Sequence, residues 1–153
     1  MKIVLCLLAV ALNGRPPAKA TDLEMIRKKY ILAVSDKHTC REMLDELGQH
    51  AQSNTRLAYL GGFQAIWARH VFNPLSKLQT FYTGKSNIEK AFREDPHNIE
   101  IRFVRLSVQQ NCPRFLGYRD NIKEDGLFLA TNRSRITSST LTGMVASLLN
   151  SRP

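Results

Sequence analysis

The sequence predicts an all-α protein built as a stack of antiparallel helical hairpins, with about six to seven helices. Apolar residues recur at helical spacing along most of the chain, and no run alternates in the way that a half-buried β-strand does. Asn73-Pro74, Asp95-Pro96 and Pro113 divide this pattern into segments, because a proline disfavours helix in the residue before it. The segment 99–109 is apolar on two opposite sides, which predicts an inner helix packed between neighbours.

The N-terminal segment has the pattern of an export signal. Lys2 precedes an apolar run from Ile3 to Leu12 that is too short to span a bilayer, and Ala18-Lys19-Ala20 fits a small-x-small cleavage signal. We therefore expect residues 1–20 to be a signal peptide and residues 21–153 to form a single helical domain starting at Thr21. The alternative is a buried N-terminal helix. Export would place the protein in the periplasm or cell envelope, with no stable membrane span after cleavage.

The first two helices are predicted to form a hairpin. Thr21-Asp22-Leu23-Glu24 has the pattern of a capping box, in which the first and last side chains bind free backbone N–H groups. The first helix then extends to Ser35-Asp36. The second is predicted from about Lys37 to Leu47, and Gly48 is expected to end it.

The third helix, from Asn54 to about Val71, has two faces of different bulk. The bulky face carries Tyr59, Leu60, Phe63, Ile66 and Trp67. The opposite face carries Ala58, Gly61, Gly62, Ala65 and Ala68. The bulky side can fill a core, and the small side lets a neighbouring helix approach closely.

A long fourth helix follows Asn73-Pro74 and ends at Asp95. Gly84 lies inside it and weakens a helix by ~1 kcal/mol relative to alanine. Asn98 is expected to cap the fifth helix through its side-chain oxygen. The apolar residues of the fourth helix are Leu75, Leu78, Phe81, Tyr82, Ile88, Ala91 and Phe92.

The last third of the chain predicts an ordered connection and two more helices. Phe115-Leu116-Gly117-Tyr118 is expected to be held in place by its aromatic side chains. A sixth helix runs from Asp120 to about Ala130, and Ser138 or Ser139 caps a last helix whose single apolar stripe fits an outer position. The apolar residues of the sixth helix are Ile122, Leu127 and Leu129.

Two segments resemble a tetratricopeptide repeat. Ala91 to Asn98 (AFREDPHN) looks like the close of that repeat, where an alanine precedes an Asp-Pro-x-Asn turn, and Leu57 to Gly61 (LAYLG) is similar to the Leu-x-x-Leu-Gly of its first helix. The resemblance covers one repeat, roughly residues 54–98, which is longer than the usual ~34 residues. It implies a tetratricopeptide-like α-α superhelix. The whole chain also resembles short exported proteins of Bacteroidetes-type bacteria with an Asp-Pro-x-Asn turn and a Phe-Leu-Gly-Tyr segment, which implies fold and location but no activity.

Residue types that support catalysis or metal binding are dispersed. Cys40 and Cys112 could form a disulfide in an oxidising compartment, but each also fits as a small buried thiol, and we favour the unbridged state. Asp120, Glu124 and Asp125 lie within about one helical turn of one another and could bind a cation or act as an acid-base pair, although a solvated acidic face explains them better. We predict no catalytic residue, no metal site and no cofactor.

Three classes of function fit this chain. The leading one is a non-catalytic scaffold that binds a protein or peptide segment in the cell envelope. The others are an enzyme of unrecognised type acting on an envelope polymer and a packing subunit of an envelope assembly. The formal charge of +9 falls to +6 once Lys2, Arg15 and Lys19 are cleaved off, which favours acidic surfaces or anionic polymers over nucleic acid as partners. The alternative is a solvated basic face without a partner, and it explains the charge better.

The fifth helix carries the predicted binding residues, Arg102, Arg105 and Gln109. They follow one another at i, i+3 and i+7, on a polar line between the two apolar sides of the helix. On an inner helix such a line can face a groove, where an arginine fork suits a peptide carboxylate. The alternative is that both arginines pair with acidic residues of neighbouring helices, for example Glu89 or Glu124, and hold the stack together.

Overall fold

The computed structural model describes residues 22–151, and within this range the fold is all-α. It contains seven α-helices and no β-strand there, which confirms the predicted fold class. The predicted signal peptide, residues 1–20, and its predicted cleavage before Thr21 lie outside the described residues. The helices are α1 (Leu23–Leu32), α2 (Lys37–His50), α3 (Asn54–His70), α4 (Pro74–Glu94), α5 (Ile99–Asn111), α6 (Ile122–Asn132) and α7 (Ser139–Asn150). Short 3-10 turns, Arg114–Leu116 and Arg133–Arg135, follow α5 and α6.

α5 is the central helix. It packs against α3, α4, α6 and α7, and the Arg27 and Tyr30 side chains of α1 reach Glu100 and Ser107 on it. Nearly every residue from 100 to 109 is buried, so the predicted position between neighbouring helices is confirmed. α7 also returns to α1, where the Ser138 hydroxyl donates a hydrogen bond to Glu24. The first and last described helices therefore meet beside the central one.

α3 and α4 approach through a pair of glycines. A Cβ atom placed on Gly61 would lie 2.5 Å from the carbonyl oxygen of Gly84 and 2.7 Å from Cγ1 of Ile88. A Cβ atom on Gly84 would lie 2.5 Å from the carbonyl oxygen of Gly61. Both distances are shorter than real Cβ contacts, so only glycine at both positions permits this approach. The small face predicted for α3 is confirmed, and Gly84, predicted only to weaken α4, supplies the other half of the contact.

Side-chain caps set several helix boundaries. The Asn98 side-chain oxygen accepts hydrogen bonds from the backbone N–H groups of Glu100 and Ile101, as predicted. Ser138 caps α7 by accepting from the N–H of Leu141. The predicted capping box of the first helix is wrong, because the N-cap is Asp22, which makes no side-chain cap hydrogen bond.

Two other local predictions differ from the structure, and one apolar residue of the sixth helix is exposed. Gly48 does not end α2, which continues to His50, since the cost of one glycine is smaller than the gain from continuing the helix. Leu127 is exposed because it lies about 200° around α6 from Leu129, which is buried. In the connection after α5, Tyr118 is buried as predicted, but Phe115 is 81% exposed.

An aromatic cluster joins α1, α3 and α5. The ring of Tyr30 meets Tyr59 and Phe63 edge to face, with centroids 5.3 Å apart in each case, and lies 6.3 Å from Phe103. The Tyr30 hydroxyl is 2.8 Å from the hydroxyl of Ser107, and burial raises the pKa of Tyr30 to about 12. Tyr30 also lines the groove described below.

Candidate functional site

The three residues predicted as a binding line lie inside the protein. Arg102 is 7% exposed, Arg105 is 2% exposed and Gln109 is fully buried. The amide nitrogen and oxygen of Gln109 have no hydrogen-bond partner among the described residues. In this conformation the line therefore faces the interior between α4, α5 and α6 and offers no open groove to a peptide.

Asp125 of α6 is the main partner of both arginines. Its Oδ2 accepts a hydrogen bond of 2.6 Å from Nε of Arg105, and its Oδ1 accepts one of 3.0 Å from Nη2 of the same side chain. Nη1 of Arg102 donates to the same Oδ1 at 2.8 Å. Asp125 is fully buried, so its prediction as part of a solvated acidic face is wrong. Its charge is instead compensated by two guanidinium groups.

Further groups complete this buried cluster. Nη1 of Arg102 also donates to Glu124 at 2.8 Å, and Nη1 of Arg105 lies 3.6 Å from Oε2 of Glu89. The guanidinium of Arg105 stacks 3.6 Å from the ring centre of Phe92. Burial alone lowers the pKa of Arg105, but the hydrogen bonds and charge of Asp125 outweigh it and hold that pKa above its ordinary value. The cluster thus ties α4, α5 and α6 together through the partners that the alternative interpretation named, Glu89 and Glu124, and through Asp125.

A second polar cluster joins α1, α3 and α5 on another side of α5. Arg27 donates two hydrogen bonds of 2.7 Å to the two carboxylate oxygens of Glu100. The Tyr59 hydroxyl donates to Oε1 of Glu100, also at 2.7 Å. The hydrogen bonds from Arg27 to Glu100 raise the pKa of Arg27 above its ordinary value. A polar hollow of about 300 Å³ adjoins this pair, and because both charged groups already pair with each other, they leave little for a ligand.

An apolar groove of about 450 Å³ is larger than this polar hollow. It lies between the ends of α1 and α3, the beginning of α4, and the end of α5 with the turn that follows it. Most of the lining side chains are aliphatic or aromatic, and Leu78 and Phe115 are exposed at its edge. Volume and lining are those of a ligand-binding cleft. The residues that carry its apolar walls are Val34, Ile66, Leu78, Phe81, Val108 and Phe115.

The neutral polar groups of this groove already have partners. The Ser107 hydroxyl bonds to Tyr30 and donates to the carbonyl oxygen of Val104 at 2.8 Å. The Asn111 amide donates to the carbonyl oxygen of Ser107 at 2.8 Å. Cys112 forms part of the floor, and its thiol lies 3.4 Å from the carbonyl oxygen of Tyr118. The interior of the groove therefore holds few polar groups that are free to bind a ligand.

The charged side chains of the groove are all basic. Arg69 and Lys77 line it and are exposed, and neither side chain pairs with any described residue. No aspartate or glutamate occurs among the described residues that line the groove. The result is an apolar cleft with two unpaired cations and no counter-charge, an arrangement suited to an apolar ligand that carries an anionic group.

Exposed apolar residues extend the groove along α4. Leu75 is 65% exposed, Leu78 is 36% exposed and Tyr82 is 48% exposed. They follow one another at i, i+3 and i+7 and so form one stripe, whereas Phe81, Gly84 and Ile88 face the protein interior. Apolar spacing did not predict the groove, because it places all of these residues on one helix without separating the covered stripe from the exposed one. The available signal was that the apolar residues in the first half of α4 cover more than one face.

Cysteines and metal-binding residues take up little of this surface. Cys40 and Cys112 are both buried and free, so the favoured unbridged state is confirmed. Burial raises the pKa of Cys40 to about 12 and also raises the pKa of Cys112. Within residues 22–151, no three His, Cys, Asp or Glu side chains are grouped so as to hold a metal ion. Because its pKa is raised, the Cys112 thiol that lines the groove stays protonated near neutral pH.

Comparison with known proteins adds no further identification. No family model, no curated protein and no solved structure matches this chain. No helix among the described residues has both the length and the apolar character needed to cross a membrane. The likeness to the tetratricopeptide repeat therefore rests on residues 54–98 alone, and the candidate site rests on the geometry of the groove.

Proposed function

We propose that this chain is a non-catalytic, exported helical protein that binds a segment of a partner protein in the cell envelope, and that the apolar groove is its contact surface. One observation carries the proposal: a cleft of about 450 Å³ combines apolar walls, exposed aromatic and aliphatic edges, and unpaired Arg69 and Lys77. Monomeric soluble proteins rarely expose a large contiguous apolar patch unless that patch contacts a partner or a ligand. The predicted line of Arg102, Arg105 and Gln109 has no part in this proposal, because those side chains are buried.

The groove favours binding over the two other classes of function. An enzyme needs titratable groups that converge on a reacting atom, whereas this groove offers two exposed cations and a buried thiol whose pKa is raised. A packing subunit is expected to present a flat apolar face. Here the apolar residues line a concave surface, which receives side chains of a partner better than it covers a flat one.

Site-specific photo-crosslinking in the native host tests the proposal. A photoreactive amino acid replaces Leu78 at the edge of the groove, and a matched variant carries it at Leu127, an exposed leucine of α6 outside the groove. We expect a crosslinked adduct of discrete mass from position 78 and none from position 127. Equal crosslinking at both positions, or none at position 78 under conditions where both variants are folded, contradicts the proposed contact surface.

Export is tested separately. The apolar run of residues 3–12 and the Ala18-Lys19-Ala20 signal support cleavage before Thr21. N-terminal sequencing of protein from the native host should therefore begin at Thr21 or a near neighbour. Recovery of intact Met1 from the cytoplasm would contradict export and the envelope location, but it would leave the groove proposal intact.

A further inference from the structure

We infer that the occupant of the groove is an acidic amphipathic helix, a segment of a partner protein that carries leucine-like residues on one face and carboxylates beside them. This inference rests on the proposed function and deepens it by naming the chemistry of the partner. Three features of the groove carry it: its charge, its lack of free polar groups, and the unpaired apolar stripe of α4.

The charge of the groove selects an anionic partner. Arg69 and Lys77 flank the apolar walls without an ion-pair partner among the described residues, and no acidic side chain lines the groove. The arginines of the buried cluster differ in this respect, because Asp125 neutralises both Arg102 and Arg105. A carboxylate that enters beside the apolar walls can pair with either free cation, whereas an ammonium group would meet like charge.

The hydrogen bonding of the groove selects a helix over an extended strand. An extended peptide needs partners for its own backbone N–H and C=O groups when it is buried. Within the described residues the groove offers no β-strand edge, and the polar groups of Ser107 and Asn111 already bind inside the protein. A helix satisfies its own backbone hydrogen bonds, so it can enter an apolar groove at little desolvation cost.

The stripe on α4 supplies the matching surface. Leu75, Leu78 and Tyr82 repeat at i, i+3 and i+7 along α4, and Leu78 also lines the groove. A partner helix with apolar residues at the same spacing can pack its ridge against this stripe and place its leucines between α4 and Phe115. The exposed fractions of Leu75 and Phe115, 65% and 81%, leave substantial apolar area for a partner to cover.

A second copy of this chain fits the groove poorly. In a two-fold dimer built on this surface, the same patch of each copy faces the other, so Arg69 and Lys77 of both copies would lie on one interface with no acidic lining residue between them. The chain as a whole is also basic, with a formal charge of +9. Charge complementarity therefore favours a different, acidic chain.

Peptide binding to the mature protein, residues 21–153, tests the inference. The probes are two fluorescein-labelled helical peptides of ~15 residues with leucines at i, i+3, i+4 and i+7, one with glutamates and one with lysines at the remaining polar positions. The groove variant is Arg69→Glu/Lys77→Glu, and the matched control is Lys28→Glu/Lys123→Glu, which makes the same change of net charge at exposed sites that do not line the groove. Fluorescence anisotropy measures each dissociation constant.

We expect the wild-type protein and the control to bind the glutamate peptide at least about ten-fold more tightly than the lysine peptide, and the groove variant to reverse this order. Equal binding of both peptides, unchanged in the groove variant, overturns the acidic character but leaves a peptide-binding groove. Binding of palmitate that is lost in the groove variant, with neither peptide bound, overturns the helix and assigns the site to an acyl chain. Binding of none of these probes, with Leu78 uncrosslinked in the host, overturns the proposed function itself.

Discussion

Replacing Asp125 with asparagine should lower the free energy of unfolding by about 3–5 kcal/mol, because it leaves buried charge without its partner. The Asp125 carboxylate is fully buried and accepts three hydrogen bonds, of 2.6, 2.8 and 3.0 Å, from Arg102 and Arg105. Asparagine keeps the shape but removes the charge and turns one acceptor into a donor facing a guanidinium. The Glu89 carboxylate remains 3.6 Å from Arg105 in this variant. The loss of stability is therefore smaller than if Arg105 had no counter-charge at all.

The assay is urea unfolding followed by circular dichroism, together with a thermal melt. For a domain of this size a loss of about 4 kcal/mol corresponds to a fall in Tm of about 10–15 °C. Asp120→Asn is the matched control, since Asp120 is exposed and its replacement should change stability by less than about 0.5 kcal/mol. A triple variant, Arg102→Met/Arg105→Met/Asp125→Leu, removes the whole charged group and should recover most of the stability.

A loss smaller than about 1 kcal/mol in Asp125→Asn would refute the reasoning, since it would mean that the carboxylate is not the counter-charge of the two arginines. The same measurement bears on the predicted binding line. If Arg102 and Arg105 hold the helices together, Arg102→Ala/Arg105→Ala should lower the melting temperature while the folded fraction still binds the groove peptide. Loss of peptide binding with an unchanged melting temperature would return these residues to the binding surface.

Two further predictions concern packing and pH. Gly61→Leu should destabilise the protein by about 1–3 kcal/mol in thermal unfolding, because its Cβ would lie 2.5 Å from the carbonyl oxygen of Gly84. In contrast, Gly143→Ala should stabilise the protein by about 0.5–1 kcal/mol, because a Cβ at Gly143 meets no atom within 4 Å. Equal effects of the two substitutions would contradict the close contact between α3 and α4. Burial raises the pKa of Cys40 from 9.0 to about 12, so the thiol loses its proton at lower pH in the unfolded chain than in the folded protein. The stability that the buried, protonated thiol contributes is therefore complete below pH 9 and is lost as the pH rises towards 12. In urea unfolding, the free energy of unfolding should fall less between about pH 8 and about pH 10.5 in Cys40→Ala than in wild type. Identical pH slopes in the two proteins would contradict a raised pKa for Cys40.

Features encoded locally were predicted well from the sequence. The stop at Asp95, the cap at Asn98 and the two-sided burial of the fifth helix depend on residues within a few positions of one another. The two-faced character of the third helix follows from spacing alone and is confirmed by the burial of its small face. Features that depend on distant residues were not predicted. Gly84 looks like a weak point in a helix until Gly61 is placed opposite its backbone.

Apolar pattern alone cannot separate a core stripe from a surface that is left uncovered. Leu75 and Leu78 are as apolar as Phe81 and Ile88, and their spacing is equally helical. Leu75 and Leu78 are exposed in the first half of α4, whereas all but one of the buried residues of α4 lie in its second half. Periodicity reports which residues share a face, whereas the lengths and positions of neighbouring elements decide whether that face is covered.

Neighbouring elements also decide whether a charged side chain is neutralised, and this determines which arginines can belong to a binding site. Arg102, Arg105 and Arg69 are equally basic in the sequence, and the first two lie on the line that sequence reasoning selected. Asp125, twenty or more positions away, neutralises both of them inside the protein, while Arg69 and Lys77 find no acid in the described residues. A cation whose charge is already compensated gains little from a ligand carboxylate, and reaching it would require exposing buried surface. An unpaired cation beside uncovered apolar surface gains a partner without losing one, so the groove at Arg69 and Lys77 is the stronger candidate for ligand binding.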